Sequence, residues 1–304
     1  MSGKVYYLLH GIQDRYNALY QENMKCLGAE DIAVASIGGS GQSLLGNILQ
    51  EVGLNYADPY IEALHADGTS SPVPAYSDYA QRLSATADRH GGERPLQKGQ
   101  WPRFFKTHLT PDFLEQRPLK GVWILVRDPR DSLFSWYKFR TNFAKDPLDI
   151  ASGTFHAWLE RPGPAGVSRL ADWSMFYEQW ADRRAAFQVS TLTTYEDLKR
   201  EPVATLRSNF EDLGVTVPDD AISRAVEKSS FENMRAHESK SQAKQPDPVE
   251  GNTRIMRSGT PNEWLQWITP ELERQFMKGE MPAVAERYGY DLAPQQRSAG
   301  RGWS

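Results

Sequence analysis

Short unbroken apolar runs alternate along this chain with longer stretches whose apolar residues recur at helical spacing. Gly121-Val-Trp-Ile-Leu-Val126 contains no polar side chain, which predicts a strand covered on both faces. Asp31-Ile-Ala-Val-Ala-Ser36, Arg103-Phe-Phe-Lys-Thr-His108 and residues Val189 to Thr194 read as further strands. Helical periodicity runs from Ser43 to Val52. It returns over residues 172–187, where Trp173, Phe176, Tyr177, Trp180 and Phe187 would form an apolar stripe. After Tyr195 a helix is predicted to continue to Leu213, with Gly214 as its stop. Such alternation predicts one α/β domain over residues 1–294, a central parallel sheet flanked by helices. The polar stretch 57–100, with Pro72, Pro74 and Gly91-Gly92, is expected to be partly helical and to lie over a site. Residues 236–256 read as a mobile loop, and the tail 295–304 as disordered.

Composition narrows the function classes. In 304 residues, Lys+Arg number 35 and Asp+Glu 39, a net charge of -4 with both signs interspersed. A broad nucleic-acid or anionic-membrane surface is therefore not expected, and any anion must be gripped locally. The single cysteine, Cys26, excludes an internal disulfide framework and fits a reducing compartment. The N-terminus lacks a signal-type apolar core and no apolar run is long enough to span a bilayer, so a soluble cytoplasmic protein is expected. His10, His65, His90, His156 and His237 are scattered without ligand spacing, and no metal is implied.

Three segments carry candidate chemistry. In Arg127-Asp-Pro-Arg-Asp-Ser-Leu-Phe-Ser135-Trp-Tyr137, Asp128-Pro129 ends the preceding strand and Asp131 or Ser132 is expected to cap a helix. That places a guanidinium at a strand's carboxyl end and the Ser135 hydroxyl on the next helix, where open α/β sheets bind ligands and an arginine fork suits phosphate. A surface ion pair is the alternative for Arg127. The loop Ser36-Ile-Gly-Gly-Ser-Gly-Gln-Ser43 joins a strand to a helix and could offer backbone N–H groups to an anion; it could equally be a plain connection. It lacks the Gly-Lys-[Ser/Thr] ending of a nucleoside-triphosphate loop, which weakens an ATPase or kinase reading. Lys106 and His108 leave the same face of a strand, so like-charge repulsion should lower the imidazole pKa and keep it a base. A structural histidine near a surface lysine is the bland alternative.

Taken in order, these segments resemble the cytosolic-type sulfotransferases, which use 3′-phosphoadenosine-5′-phosphosulfate. That family's Tyr-Pro-Lys-Ser-Gly-Thr-Thr-Trp loop aligns with Ile37 to Leu44, and its Lys-Thr-His-Leu-Pro with Lys106-Thr-His-Leu-Thr110. Its Arg-Asn-Pro-Lys-Asp…Ser-Tyr-Tyr motif aligns with Arg127 to Tyr137. Tyr195-Glu-Asp-Leu, Ser229-Ser-Phe-Glu-Asn-Met234 and Arg257-Ser-Gly-Thr-Pro-Asn-Glu-Trp264 match three more blocks. The resemblance implies that Gly39, Ser40, Gly41, Gln42 and Ser43 form the 5′-phosphate loop. It assigns Arg127, Ser135, Arg257, Ser258 and Gly259 to the 3′-phosphate, Tyr195, Ser229 and Phe231 to the adenine, and His108 to the general base. Departures are equally specific. The family's loop lysine is Gly39, its loop tryptophan is Leu44, and the lysine after the last arginine is Ser258. Lys106 is the candidate to supply the missing charge. Leu265, Thr269-Pro270 and Arg274 do not keep the family's dimer motif, which leaves the oligomeric state open. Tyr76, Tyr79, Trp101 and Phe104 could flank a pocket for a small alcohol, phenol or amine, as in secondary metabolism. A catalytically impaired nucleotide-binding protein is the principal rival, and a P-loop nucleotide kinase or NTPase the weaker one.

Overall fold

A computed structural model describes residues 11–73, 100–114, 117–143, 146–163, 166–243 and 257–294. Helix α1 (Gly11–Met24) precedes strand β1 (Asp31–Ala35), which leads through the Gly/Ser loop into α2 (Gln42–Glu51). There follow β2 (Asn55–Ala57), a hairpin of β3 (Glu62–Leu64) and β4 (Ser70–Pro72), then β5 (Arg103–Thr107) and β6 (Gly121–Val126). Helix α3 (Pro129–Lys138) passes into a π-helical turn (Phe139–Phe143), then α4 (Pro147–Ile150), α5 (Phe155–Glu160) and α6 (Arg169–Arg183). Strand β7 (Val189–Thr194) is followed by α7 (Tyr195–Arg200), α8 (Pro202–Asp212), α9 (Asp219–Lys228), α10 (Phe231–Ala243), α11 (Pro270–Phe276) and α12 (Met281–Glu286).

Five strands form one parallel sheet in the order β2-β5-β1-β6-β7. Its middle strands are apolar on both faces because helices cover both. On one side Ala33, Phe105, Val122 and Ile124 pack under the Trp173, Phe176, Tyr177 and Trp180 stripe of α6. On the other, Ile32, Val34, Phe104, Trp123 and Leu125 meet Leu45, Leu49, Leu206 and Phe210 of α2 and α8. Each large side chain buried this way stabilises the fold by roughly 1.5–3 kcal/mol. A fully buried ion pair ties the strand starts together: Arg103 Nε donates to Asp31 Oδ1 at 2.6 Å and its Nη2 to Asp31 Oδ2 at 3.1 Å.

Several expectations need correction. Asp128, not Asp131 or Ser132, caps α3: its carboxylate accepts the Arg130 N–H at 2.9 Å, with Pro129 preset for the first helical position. The helix expected from Tyr195 to Leu213 is two helices, split at Glu201 by Pro202. The described part of the 57–100 stretch holds the β3–β4 hairpin and no helix; residues 74–99, with Tyr76 and Tyr79, lie outside the described residues. Residues 236–243 continue α10 and are not loop, while 244–256 and the tail 295–304 are outside the description. Phe104 is fully buried in the core, and Trp101 packs on Gly68 at the start of β5, away from His108 at its end. None of the described helices is long and apolar enough to cross a membrane.

Candidate active site at the carboxyl edge of the sheet

Pairing of Ala35 with both Thr107 and Ile124 aligns the ends of β1, β5 and β6. The Gly/Ser loop, His108 and Arg127 therefore emerge side by side, in the crevice where such sheets bind ligands. Within the loop, Gly39 and Gly41 adopt positive φ of 83° and 96°. A Cβ on Gly39 would overlap the Ser132 carbonyl of α3 and stand 3.0 Å from Ser135 Cβ, so the loop lies directly against that helix. A Cβ on Gly41 would stand 2.5 Å from Tyr195 Cδ2.

Gly41, in left-handed conformation, begins α2 with no side-chain cap. Among the described residues, the N–H groups of Gly41, Gln42 and Ser43 meet no protein acceptor, while Leu44 and Leu45 N–H both donate to Gly41 O. Unpaired amides at the positive end of a helix dipole are an anion cradle. Ser43 is exposed above them. Gln42 and Ser40 turn inward: Gln42 Nε2 donates to Val34 O at 2.6 Å, and Ser40 Oγ lies 3.1 Å from Tyr177 Oη.

Arg127 joins three chain segments. Its Nη1 donates to Gly39 O at 3.1 Å, and its Nη2 to Asp131 Oδ2 at 3.2 Å and Thr260 O at 3.1 Å, while Nε is buried without a partner. The guanidinium stands 4.4 Å from the Tyr195 ring centroid, and Tyr195 Oη donates to Gly259 O at 3.0 Å. Phe231 packs against Gly259, so Ser135, Arg127, Tyr195, Phe231 and Gly259 converge on the loop. Ser229 is buried, accepting from Asn47 Nδ2 of α2 at 2.6 Å. Arg257 forms a two-pronged ion pair with Glu263 and sits 5.2 Å from the Phe134 ring centroid, which places it against helix α3. Ser258 Oγ accepts the Thr260 N–H at 3.3 Å.

His108 Nδ1 is 2.6 Å from Ser36 O. A carbonyl can only accept, so Nδ1 carries the proton and Nε2 presents its lone pair. Burial first, then the Lys106 ammonium, lowers the imidazole pKa to about 4, against an opposing Ser36 hydrogen bond. Lys106 Nζ pairs with Asp58 Oδ2 at 3.0 Å and lies 5.6 Å from the Tyr60 ring centroid. Tyr60 Oη accepts the His108 N–H at 3.1 Å.

Asp58, Tyr60, Thr260 and Tyr177 surround the site without having been singled out by sequence as site residues; Tyr177 was read only as a core aromatic. Only Thr260 lay inside a matched motif. The other three follow or sit in segments whose spacing reads equally well as turn or core.

The fold and this edge define an α/β protein with free backbone amides at a strand–loop–helix junction and a half-buried histidine beside them. Residues 29–283 match the sulfotransferase domain family, and the chain belongs to it. Mouse sulfotransferase 1B1 is 28% identical over 255 residues, 81% of this chain and 80% of the relative. Mouse sulfotransferase 1A1 is 27% identical over 191 residues, 61% of this chain and 64% of the relative, just under two thirds of its length. Among solved structures, mouse SULT7A1 complexed with PAP superposes with a TM-score of 0.56 at 16% identity, covering 89% of this chain and 91% of that one. Retinol dehydratase in complex with retinol and PAP gives 0.57 at 16% identity, covering 92% and 87%. At such identities the structural likeness concerns the fold.

Proposed function

We propose that this protein moves a sulfuryl group from 3′-phosphoadenosine-5′-phosphosulfate to a hydroxyl or amine of a small-molecule acceptor, with His108 as general base. The observation that carries the reading is His108 Nδ1 anchored at 2.6 Å to Ser36 O, the first residue of the anion loop. One backbone atom thus sets the base beside the cradle, with Nε2 outward. When bound, the nucleotide would supply the sulfuryl group, whose bond to the 5′-phosphate oxygen breaks with its electron pair as the acceptor atom bonds sulfur.

The chain's own groups supply the rest. Free amides of Gly41, Gln42 and Ser43 fit the 5′ end, and the unpartnered Arg127 Nε with the Ser135 hydroxyl fits the 3′-phosphate. Arg257 can join them on releasing Glu263, and Tyr195 and Phe231, both packed on Gly259, would flank the adenine. His108 Nε2 takes the acceptor's proton, and Lys106 holds positive charge beside it. The test is sulfuryl transfer to a panel of phenols, alcohols and amines. Activity lost at least 100-fold in His108→Ala is expected; unchanged activity would refute the base assignment. Near-normal turnover in Lys106→Ala with unaltered nucleotide affinity would remove Lys106 from the reaction.

Gly39 favours one second reading, a nucleotide-binding protein without turnover, because the family's loop lysine is absent. Tight binding of adenosine 3′,5′-bisphosphate, with neither forward transfer nor reverse transfer from an aryl sulfate, would select it. ATP competing as well as the bisphosphate would instead revive a P-loop NTPase.

A further inference from the structure

The Tyr177 phenol lies in the core of α6, yet all three of its partners belong to the site's edge. It is 2.9 Å from Leu125 O, 3.2 Å from Ile37 N and 3.1 Å from Ser40 Oγ. A phenol owns a single proton, and the Leu125 carbonyl can only accept. Tyr177 therefore donates to Leu125 O, takes the Ile37 N–H on its oxygen, and receives the Ser40 hydroxyl proton as well. Ser40 N–H donates to Ile37 O at 3.3 Å, so both Ser40 donors face inward. Leu125 lies two residues before Arg127. One hydroxyl thus tethers the start of the anion loop and the strand end that delivers the arginine.

The tyrosine itself is locked. Its carbonyl accepts from Tyr288 Oη at 2.6 Å, and its ring packs 4.6 Å from Trp173, 5.0 Å from Phe176 and 5.4 Å from Tyr288, centroid to centroid. From this we infer that Tyr177 is a positioning residue for the bound nucleotide, fixing the loop amides and Arg127 in one frame before the ligand arrives. The inference rests on the sulfotransferase reading above. Ser40 acts through Tyr177 and makes no hydroxyl contact of its own to phosphate. Prepositioned donors bind more tightly because no ordering is left to do.

The test is calorimetric binding of adenosine 3′,5′-bisphosphate at a temperature where every variant is folded. Tyr177→Phe keeps the ring and is expected to weaken binding about tenfold. Ser40→Ala should weaken it less, and adding it to Tyr177→Phe should add almost nothing, since both remove one link. Tyr288→Phe breaks the bond on the far side of the same residue and should lower melting temperature while leaving affinity unchanged. Affinity of Tyr177→Phe within twofold of wild type, or an equal loss in Tyr288→Phe, would overturn the inference. Failure of wild type to bind the bisphosphate would instead overturn the nucleotide reading beneath it. Should Tyr177→Phe not fold, hydrogen exchange on wild type decides. The Ile37 amide should already be protected without nucleotide, with those of Gly41 to Ser43 slowing only on its addition. An Ile37 amide that gains protection only with nucleotide would overturn the proposal.

Discussion

His108 is kept neutral by burial and by Lys106, with a pKa of about 4, well under the ordinary 6.5. The acid limb of kcat/KM should therefore fall near pH 4, and a pH–rate profile with its midpoint at 6–7 would contradict this. The same shift has a stability consequence of definite sign. Between about pH 6.5 and 4 the unfolded chain binds a proton at this residue that the folded one does not, so stability is lost on acidification through that window. As a residue His108 is only half-buried, so the loss is on the order of 1–2 kcal/mol, read as wild-type minus His108→Gln denaturation midpoints across pH. Gly39 sets the opposite kind of limit. Its φ of 83° and the Ser132 carbonyl beside it leave no room for a side chain. Gly39→Lys, the change that restores the family's loop, should lower stability by about 1–3 kcal/mol and fail to raise turnover. A faster, equally stable variant would show that the loop can lift off α3.

Among the elements, the segment Arg257 to Trp264 answers to two demands. It closes over α3, where Trp264 N–H donates to Asp131 Oδ1 at 2.8 Å, and it carries Arg257, neutralised by Glu263. A phosphate must compete with that carboxylate. Glu263→Gln should accordingly tighten bisphosphate binding about three- to tenfold and steepen its dependence on salt, whereas weaker binding would mean that Glu263 orients Arg257 for the ligand. Four of the sheet's five strands were readable from sequence, Gly121 to Val126 most plainly because a parallel strand covered on both faces leaves an unbroken apolar run; β2, three residues long, was not. The α3 start was misplaced because Asp128-Pro129 signals both a strand break and a helix cap, and only the second partner, Arg130 N–H, decides. The β3–β4 hairpin escaped notice since its strands have three residues each, too few to show a period. His108, Arg127 and the loop were legible as motifs. Tyr177 was not, because its partners lie 52, 137 and 140 residues away and its spacing within α6 is that of a core aromatic. The Asp58–Lys106 pair was hidden for the same reason, its members being 48 residues apart.

For the molecule as a whole, the proposed nucleotide binding would be linked to folding through the central strands. The Gly/Ser loop, His108 and Arg127 hang from β1, β5 and β6, and occupancy should stabilise the entire domain. Bisphosphate at 100 times its dissociation constant is expected to add about 2.7 kcal/mol, seen as a single cooperative rise in melting temperature; ATP at equal concentration should give much less. A rise confined to one of two transitions would mean that the edge unfolds separately. The strand order has one more effect. Since Ala35 pairs with Thr107 across a backbone ladder, the proposed reaction would have the gap between its proton acceptor and its departing phosphate ruled by main-chain geometry. Drift in the helices that carry no site residue should then trade thermal tolerance freely while the intrinsic rate stays put, leaving acceptor preference room to diversify without retuning the reaction.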